Sequence, residues 1–374
     1  DEQVLVSDDK WIARTDPSHR WDTARLSVQQ SYQEHIDLHH DDRRWITSSA
    51  QPANWAKPTM RPFGVMPWHD LSPRGIPNLH CEPVTYARAI SESSGESGAG
   101  WQCWRDIQTG WREERAASTW RTASQASYQS DTGLLCIPPA DEGQWHAVVL
   151  DLGRPGVGTF ILAAENAAGS EVIDLYPCEW LDEDQGPHVA HANAGSSIAL
   201  AARIRLRPGA NHCQTFQTIG HRYLTVIVRE HAQPLELRIH LNAVSYPLEE
   251  TGGFSCDDNT LEDLFRICRD TQRACMLDAY VDTPWREQVQ WWGDARVQAW
   301  NTFHLANDAR LLERGIRQIS YQRVPNGLTY GHAPTMAHHC ILPDFSLIWC
   351  LTLYDHYWQT GRPNLFIEHW PGVK

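Results

Sequence analysis

The sequence has no apolar run long enough to cross a bilayer and no charged-then-apolar leader at its start, so neither a membrane span nor a signal peptide is legible in it. It begins at Asp1 rather than Met, which leaves a removed leader open. Basic patches are absent too. The formal charge is −14, and this excludes nucleic acid and an anionic membrane face as partners, since either requires clustered Lys and Arg. A neutral ligand is easier to accommodate. The ten cysteines include no Cys-x-x-Cys pair and are irregularly spaced. They read mostly as small buried hydrophobes in a reducing compartment, which places the chain in the cytoplasm; a disulfide framework in a secreted or periplasmic protein is the alternative. Cys268 and Cys275 fall on the apolar side of one helical pattern.

Tryptophan, in contrast, is abundant. Eighteen of the 374 residues are Trp, more than packing alone requires, and indole is suited to the apolar faces of sugar rings. A chain of this length exceeds one ordinary domain, so two or three are expected. Residues 1–60 are polar and lack a sustained period, and residues 60–144 show turn signals with isolated strand-like runs. The low-complexity stretch from Ser91 to Gly100 reads as a flexible loop. Together, residues 1–144 form an irregular or β N-terminal region.

From residue 145 to 254 the pattern is strongly β. Runs at 146–152, 159–163, 171–176, 197–200, 223–228 and 235–241 are β-rich, bounded by Gly, Pro or Asn, and have no helical pattern between them. This predicts an antiparallel β-sandwich of jelly-roll kind. Residues 255–374 turn helical. Thr260-x-x-Asp263 has the form of a capping box ahead of Leu261, Leu264, Phe265, Cys268 and Cys275, and further helices are expected near 294–306, 309–321 and 345–360. The last carries Leu347, Leu351, Tyr354 and Trp358 on one stripe, Asp344 as its cap and Gly361 as its stop. A β-sandwich followed by helical hairpins makes the fold class multidomain β + α, ending in an α-toroid.

The densest chemistry lies in the connection Asp282-Thr283-Pro284-Trp285-Arg286-Glu287-Gln288-Val289-Gln290-Trp291-Trp292-Gly293-Asp294. Three carboxylates, an arginine and three tryptophans suit a sugar site, where indole covers C–H faces, charged groups bind hydroxyls, and a carboxyl group donates the proton that glycosidic cleavage needs. The plainer reading has Pro284 and Gly293 shape a connection and Asp294 cap the next helix, but it explains neither Arg286 and Glu287 nor the paired Trp291 and Trp292.

The pattern Asp-x-Pro-x-Arg-Glu, then Trp-x-Gly-Asp, resembles the active-site signature of the bacterial α-L-rhamnosidase family of glycoside hydrolases. Further segments resemble that family in order: Trp68-x-x-Leu71-x-Pro73-Arg74-x-Ile76-Pro77, Leu150 to Gly153, Gly220 to Leu224, and Pro343-Asp344-Phe345-Ser346-Leu347-x-Trp349. The resemblance covers about residues 60–374. It implies an (α/α)6 toroid, inverting release of terminal α-L-rhamnose from glycosides or polysaccharides, and a set of site residues. Glu287 matches the family's general acid, and Asp282 and Asp294 match acidic positions that bind sugar hydroxyls. Arg286 matches the family's arginine, with a plain salt bridge to Asp282 or Glu287 as the alternative. Trp291 matches the tryptophan that packs on the deoxysugar, whereas core packing is expected of Trp285 and Trp292.

Twelve helices need on the order of 300 residues, so residues 255–374 accommodate an incomplete toroid of about four or five, and the chain reads as the N-terminal part of a longer enzyme. The family's base, a Glu from the later toroid, has no match here, so this chain alone is expected to be inactive or incomplete. The missing helices should leave Leu347, Leu351 and Tyr354 exposed. No cofactor is expected. His332, His338, His339 and Cys340, with Asp344 behind, have ligand types that suit zinc, but a loop at the toroid mouth is the preferred reading, and Asp and Asn are too scattered to place the calcium that the family sometimes carries. Two other functions remain: a non-catalytic carbohydrate-binding protein, which shows no turnover, and a toroid glycosidase for another sugar. The carbohydrate substrate is the one partner the sequence implies; it does not give an oligomeric state.

Overall fold

A computed structural model describes residues 10–42, 55–59, 73–189, 198–335 and 340–374. Twelve strands come first: β1 (Glu34–Asp37), β2 (His80–Val84), β3 (Arg88–Glu96), β4 (Arg121–Thr122), β5 (Ser127–Gln129), β6 (Leu134–Ile137), β7 (Gln144–Ala167), β8 (Val172–Cys178), β9 (Ala202–Arg205), β10 (Gly209–Gln214), β11 (Ile219–Arg229) and β12 (Leu235–Ser245). Among the described residues one α-helix, α1 (Ile107–Ala117), interrupts them. Five more follow as α2 (Asn259–Ala274), α3 (Trp292–Leu305), α4 (Arg310–Tyr321), α5 (Pro343–Thr360) and α6 (Asn364–Val373).

All twelve strands belong to one hydrogen-bonded sheet that does not close. The pairings are antiparallel apart from β1 with β9, which is parallel. Strand β7 organises it. Its first half lies between β3 and β11, and its second half between β12 and β10. The runs 146–152 and 159–163, separate in the sequence reading, are one strand in which residues 152–155 bulge opposite Arg222. Gly153, at φ 85°, and Pro155 imitate a turn there. Alternation assigns the two faces: Val148, Leu150 and Leu152 enter the main β core, while Trp145, Ala147 and Val149 pack with Trp111 of α1. Burial on both faces explains the nearly continuous apolar run.

Several expectations need correction. The stretch from Ser91 to Gly100 is not a flexible loop; through Glu96 it is β3, paired residue for residue with β7. Its polarity is internal. The buried Glu92 carboxylate accepts N–H bonds from Gln125 (3.0 Å) and Ala126 (2.9 Å), and these bonds, winning over burial, hold it down at about 2. The run at 197–200 is irregular over its described residues 198–200 and leads into β9. Helix α1 escaped the sequence reading, although buried Ile107, Gln108, Trp111 and Glu114 have helical spacing and Asp106 caps Gln108 and Thr109. The cap of α2 is Asp258 rather than Thr260, because Asp258 accepts the Thr260 N–H and leaves Thr260 inside the helix. Asp344 does not cap α5, whose N-cap is Leu342 without a side-chain bond; Gly361 does end it, at φ 68°. All ten cysteines are free, but only Cys178, Cys213 and Cys275 are buried. Cys268 is exposed because its side of α2 faces outward.

Helices α2 to α6 pack around Trp292, Ile316, Trp349 and Leu353. Their outer face stays apolar. Leu347 (68%), Leu351 (47%), Tyr354 (52%) and Trp358 (67%) of α5 are exposed, as are Leu264 and Ile267 of α2. The expected uncovered stripe is therefore present, far larger than scattered surface Leu would produce.

Candidate active site

The connection between α2 and α3 lies over the top of the sheet, and backbone contacts fix it there. The Gly220 N–H of β11 donates to the Pro284 carbonyl at 2.7 Å. A Cβ on Gly220 would lie 2.7 Å from that same oxygen, so only glycine permits the approach. Gln288 Nε2 donates to Thr218 O (2.8 Å), Gln30 Nε2 to Trp285 O (2.7 Å), and Trp285 Nε1 to Pro177 O at the end of β8 (3.4 Å). Trp285 is buried in the β core, and Trp292 is buried at the centre of the helical core. The two indoles thus anchor the strip at both ends, as expected of core residues. Arg222 and Arg88 both reach Asp151, which also accepts the Gly153 N–H at 2.8 Å. The resembling β segments therefore buttress the strip.

Between these anchors the sequence-predicted residues converge on Glu287, which is buried. Trp291 Nε1 donates to Glu287 Oε2 at 2.8 Å, and the exposed Arg286 guanidinium pairs with Oε1. Asp282 lies within electrostatic range of Glu287 and accepts the Val289 N–H at 3.2 Å. Asp294 lies within electrostatic range of Glu287, in the first turn of α3. It does not cap that helix: the N-cap is Trp291, without a side-chain bond. Gly293 shapes a contact rather than a turn, since a Cβ there would lie 2.7 Å from the Phe345 ring.

Burial, reinforced by the neighbouring Glu287 charge, pushes the Asp282 carboxyl up to about 7, and burial also raises Asp294. Asp282 therefore keeps its proton to near neutral pH. This has a consequence for stability. Unfolded Asp releases its proton near pH 4, whereas folded Asp282 keeps it to about 7, so folded protein binds more protons between those limits and stability falls as pH rises across them. Compared with Asp282→Asn, the melting temperature of the wild type should drop from about pH 4 to 7 and level off above. A difference between the two proteins that is constant over that range would show that Asp282 holds no such proton.

Two residues behind Trp291 were not read as part of the sugar site. The buried His332 ring meets it edge-on at 4.4 Å between centroids, and Phe345 at 6.1 Å. Phe345 belongs to the resembling segment 343–349, whose purpose in this fold is to back Trp291. His338 and His339 lie outside the described residues, and among the described residues no cluster of metal-ligating side chains occurs. Clefts of about 600 and 770 Å³ are lined by residues around Phe216, His212 and Asn211, none of them from the strip.

Residues 249–374 match the family model of the bacterial alpha-L-rhamnosidase 6 hairpin glycosidase domain. A GH78 family rhamnosidase of Bacillus sp. GL1 shares the fold with a TM-score of 0.75 at 18% identity, over 95% of this chain and 55% of that one. A rhamnosidase from Klebsiella oxytoca with rhamnose bound matches with a TM-score of 0.62 at 18% identity, over 80% of this chain and 56% of the other. The Streptomyces avermitilis α-L-rhamnosidase complexed with L-rhamnose also gives 0.62 at 18% identity, over 91% and 28%. No curated protein sequence matches at a significant level. The chain thus spans little more than half the length of the first two structures. The resemblance is borne out: the glycosidase-domain sequence over 249–374, and the β-rich sheet with helices of rhamnosidases over most of the chain.

Proposed function

We propose that this rhamnosidase-like chain forms the acid half of an inverting α-L-rhamnosidase site, acting in a reducing compartment. The observation that carries the reading is the convergence of Asp282, Arg286, Trp291 and Asp294 on a buried Glu287. Glu287 protonates the departing oxygen. Asp294 and Asp282 bind hydroxyls and favour the positive charge that develops on the sugar ring. Half-buried Trp291 presents an indole face to the deoxysugar, held by His332 and Phe345. Arg286 orients the Glu287 carboxylate. No cofactor enters this chemistry.

Inversion requires a second carboxylate opposite the acid, roughly 6.5–9.5 Å away with water between them. We place it on helical hairpins that would cover the apolar faces of α2 and α5 and complete an (α/α)6 toroid, with the strands acting as a jelly-roll-like sandwich beside it. On this reading, residues 1–374 bind L-rhamnose, detected by saturation-transfer NMR, with loss of the signal in Trp291→Ala, and hydrolyse aryl α-L-rhamnosides poorly or not at all. Strong turnover by these residues alone would overturn the division between acid and base. Binding of another sugar in preference to rhamnose would favour a different toroid glycosidase.

A further inference from the structure

The β side of the strip carries a second aromatic surface that the sequence did not single out. Strand β8 ends at Cys178, and the chain then presents Glu179 and Trp180. The Trp180 ring stacks on His188 at 4.5 Å and meets the edge of Trp285 at 5.7 Å, yet remains 45% exposed. The indole is firmly held. The His188 N–H donates to Trp180 O at 3.3 Å, and His188 Nδ1 bonds Asp182 at 2.8 Å. Asp182 in turn accepts from Arg115 of α1 at 3.3 Å. Glu179 lies within electrostatic range of Arg286, whose charge partly offsets the desolvation that raises its carboxyl. Arg286 thus pairs with Glu287 and also feels the charge of Glu179.

Direction follows from the two oxygens of Glu287. Oε2 is held by Trp291, on the helical side with Asp294, where the rhamnosyl ring is placed above. Oε1 is held by Arg286, on the β side, where Trp285, Trp180 and Glu179 follow. A general acid stands at the glycosidic oxygen, between the ring it releases and the group that departs. We propose that Trp180 is the shelf for the departing group, and that Glu179, with Arg286, accepts a hydroxyl of that group. The shelf fits a flat aromatic or a sugar ring. This deepens the rhamnosidase reading and depends on it.

The test compares methyl α-L-rhamnoside, which has almost no departing group, with p-nitrophenyl α-L-rhamnoside, each titrated into residues 1–374 by calorimetry. Wild type should bind the aryl glycoside more tightly. Trp180→Ala should reduce aryl affinity by about 2–10-fold, the scale of one aromatic pair, and leave the methyl glycoside within twofold. Trp180→Phe, which keeps a flat face, should retain most of the preference and shows that the Ala effect is not misfolding. Equal weakening of both ligands by Trp180→Ala, or no change in either, would overturn the shelf while leaving the rhamnose site standing. Failure of both ligands to bind wild type would overturn the rhamnosidase reading itself, and the shelf with it.

Discussion

Glu287→Gln should lower hydrolysis of rhamnosides with poor leaving groups by about 10²–10⁴-fold, the usual contribution of a positioned general acid. The measurement belongs in an enzyme that carries these residues together with the helices that complete the ring. The substitution keeps the shape and still offers a carbonyl oxygen to Trp291 Nε1, now 2.8 Å from Oε2, so Trp291 stays in place. What it removes is the ionisable group, and so both the transferable proton of the acid form and the carboxylate's ion pair with Arg286. Activated aryl leaving groups need little protonation and should suffer much less. Their ratio therefore separates loss of acid catalysis from loss of structure. Equal loss on both substrate classes would assign Glu287 a binding role only.

The candidate site was legible in the sequence because its residues are local. Asp282, Arg286, Glu287, Trp291 and Asp294 occupy thirteen consecutive positions, and one turn-rich connection suffices to gather them. The groups that make the site work from outside the strip were not legible. His332, Phe345 and Trp180 reach it only through tertiary packing, and no local period announces that. Fold followed the same division. Helices α3, α4 and α5 and strands β11 and β12 were predicted within a few residues, since their apolar spacing is regular. Strand β3 was missed because composition was weighed over pairing. A Ser- and Gly-rich segment is flexible in isolation, yet here the ladder to β7 and the bonds around Glu92 order it. Gly95 is even required, since a Cβ would fall 2.7 Å from the Trp145 ring. The apolar stripe of α5 was read correctly as a stripe, but its exposure was expected from counting helices rather than from the residues themselves.

The sheet beneath the site predicts a second large effect. Asp174, on β8, is fully buried and accepts Arg203 Nε at 2.6 Å, Arg203 Nη2 at 2.8 Å and Arg229 Nε at 3.0 Å. Arg229 is equally buried and reaches Glu114 of α1 at 2.6 Å, and both guanidinium groups lie about 5–6 Å from the Trp101 and Trp104 rings. Removing one partner from such a network leaves charge without compensation, which costs about 3–5 kcal/mol. Asp174→Ala should therefore lower the free energy of unfolding in urea by that amount with little change in slope. Arg203 is stranded most, since it keeps only a neutral acceptor among its hydrogen-bond partners in the described residues, the Trp101 carbonyl at 2.6 Å, whereas Arg229 keeps the Glu114 carboxylate. The two arginines hold the Asp174 carboxyl below its ordinary range against burial. Its contribution is thus present above about pH 4 and is lost as pH falls through the lower value of the folded state. The difference between wild type and Asp174→Ala should therefore shrink in acid. Because β8 runs directly into Glu179 and Trp180, and pairs with the strand that carries Gly220, the same substitution should loosen the β wall of the site before the protein unfolds. Aryl-glycoside binding that falls at urea concentrations below the main transition would reveal that loosening, and a loss of under 1 kcal/mol with unchanged binding would show that the network contributes little.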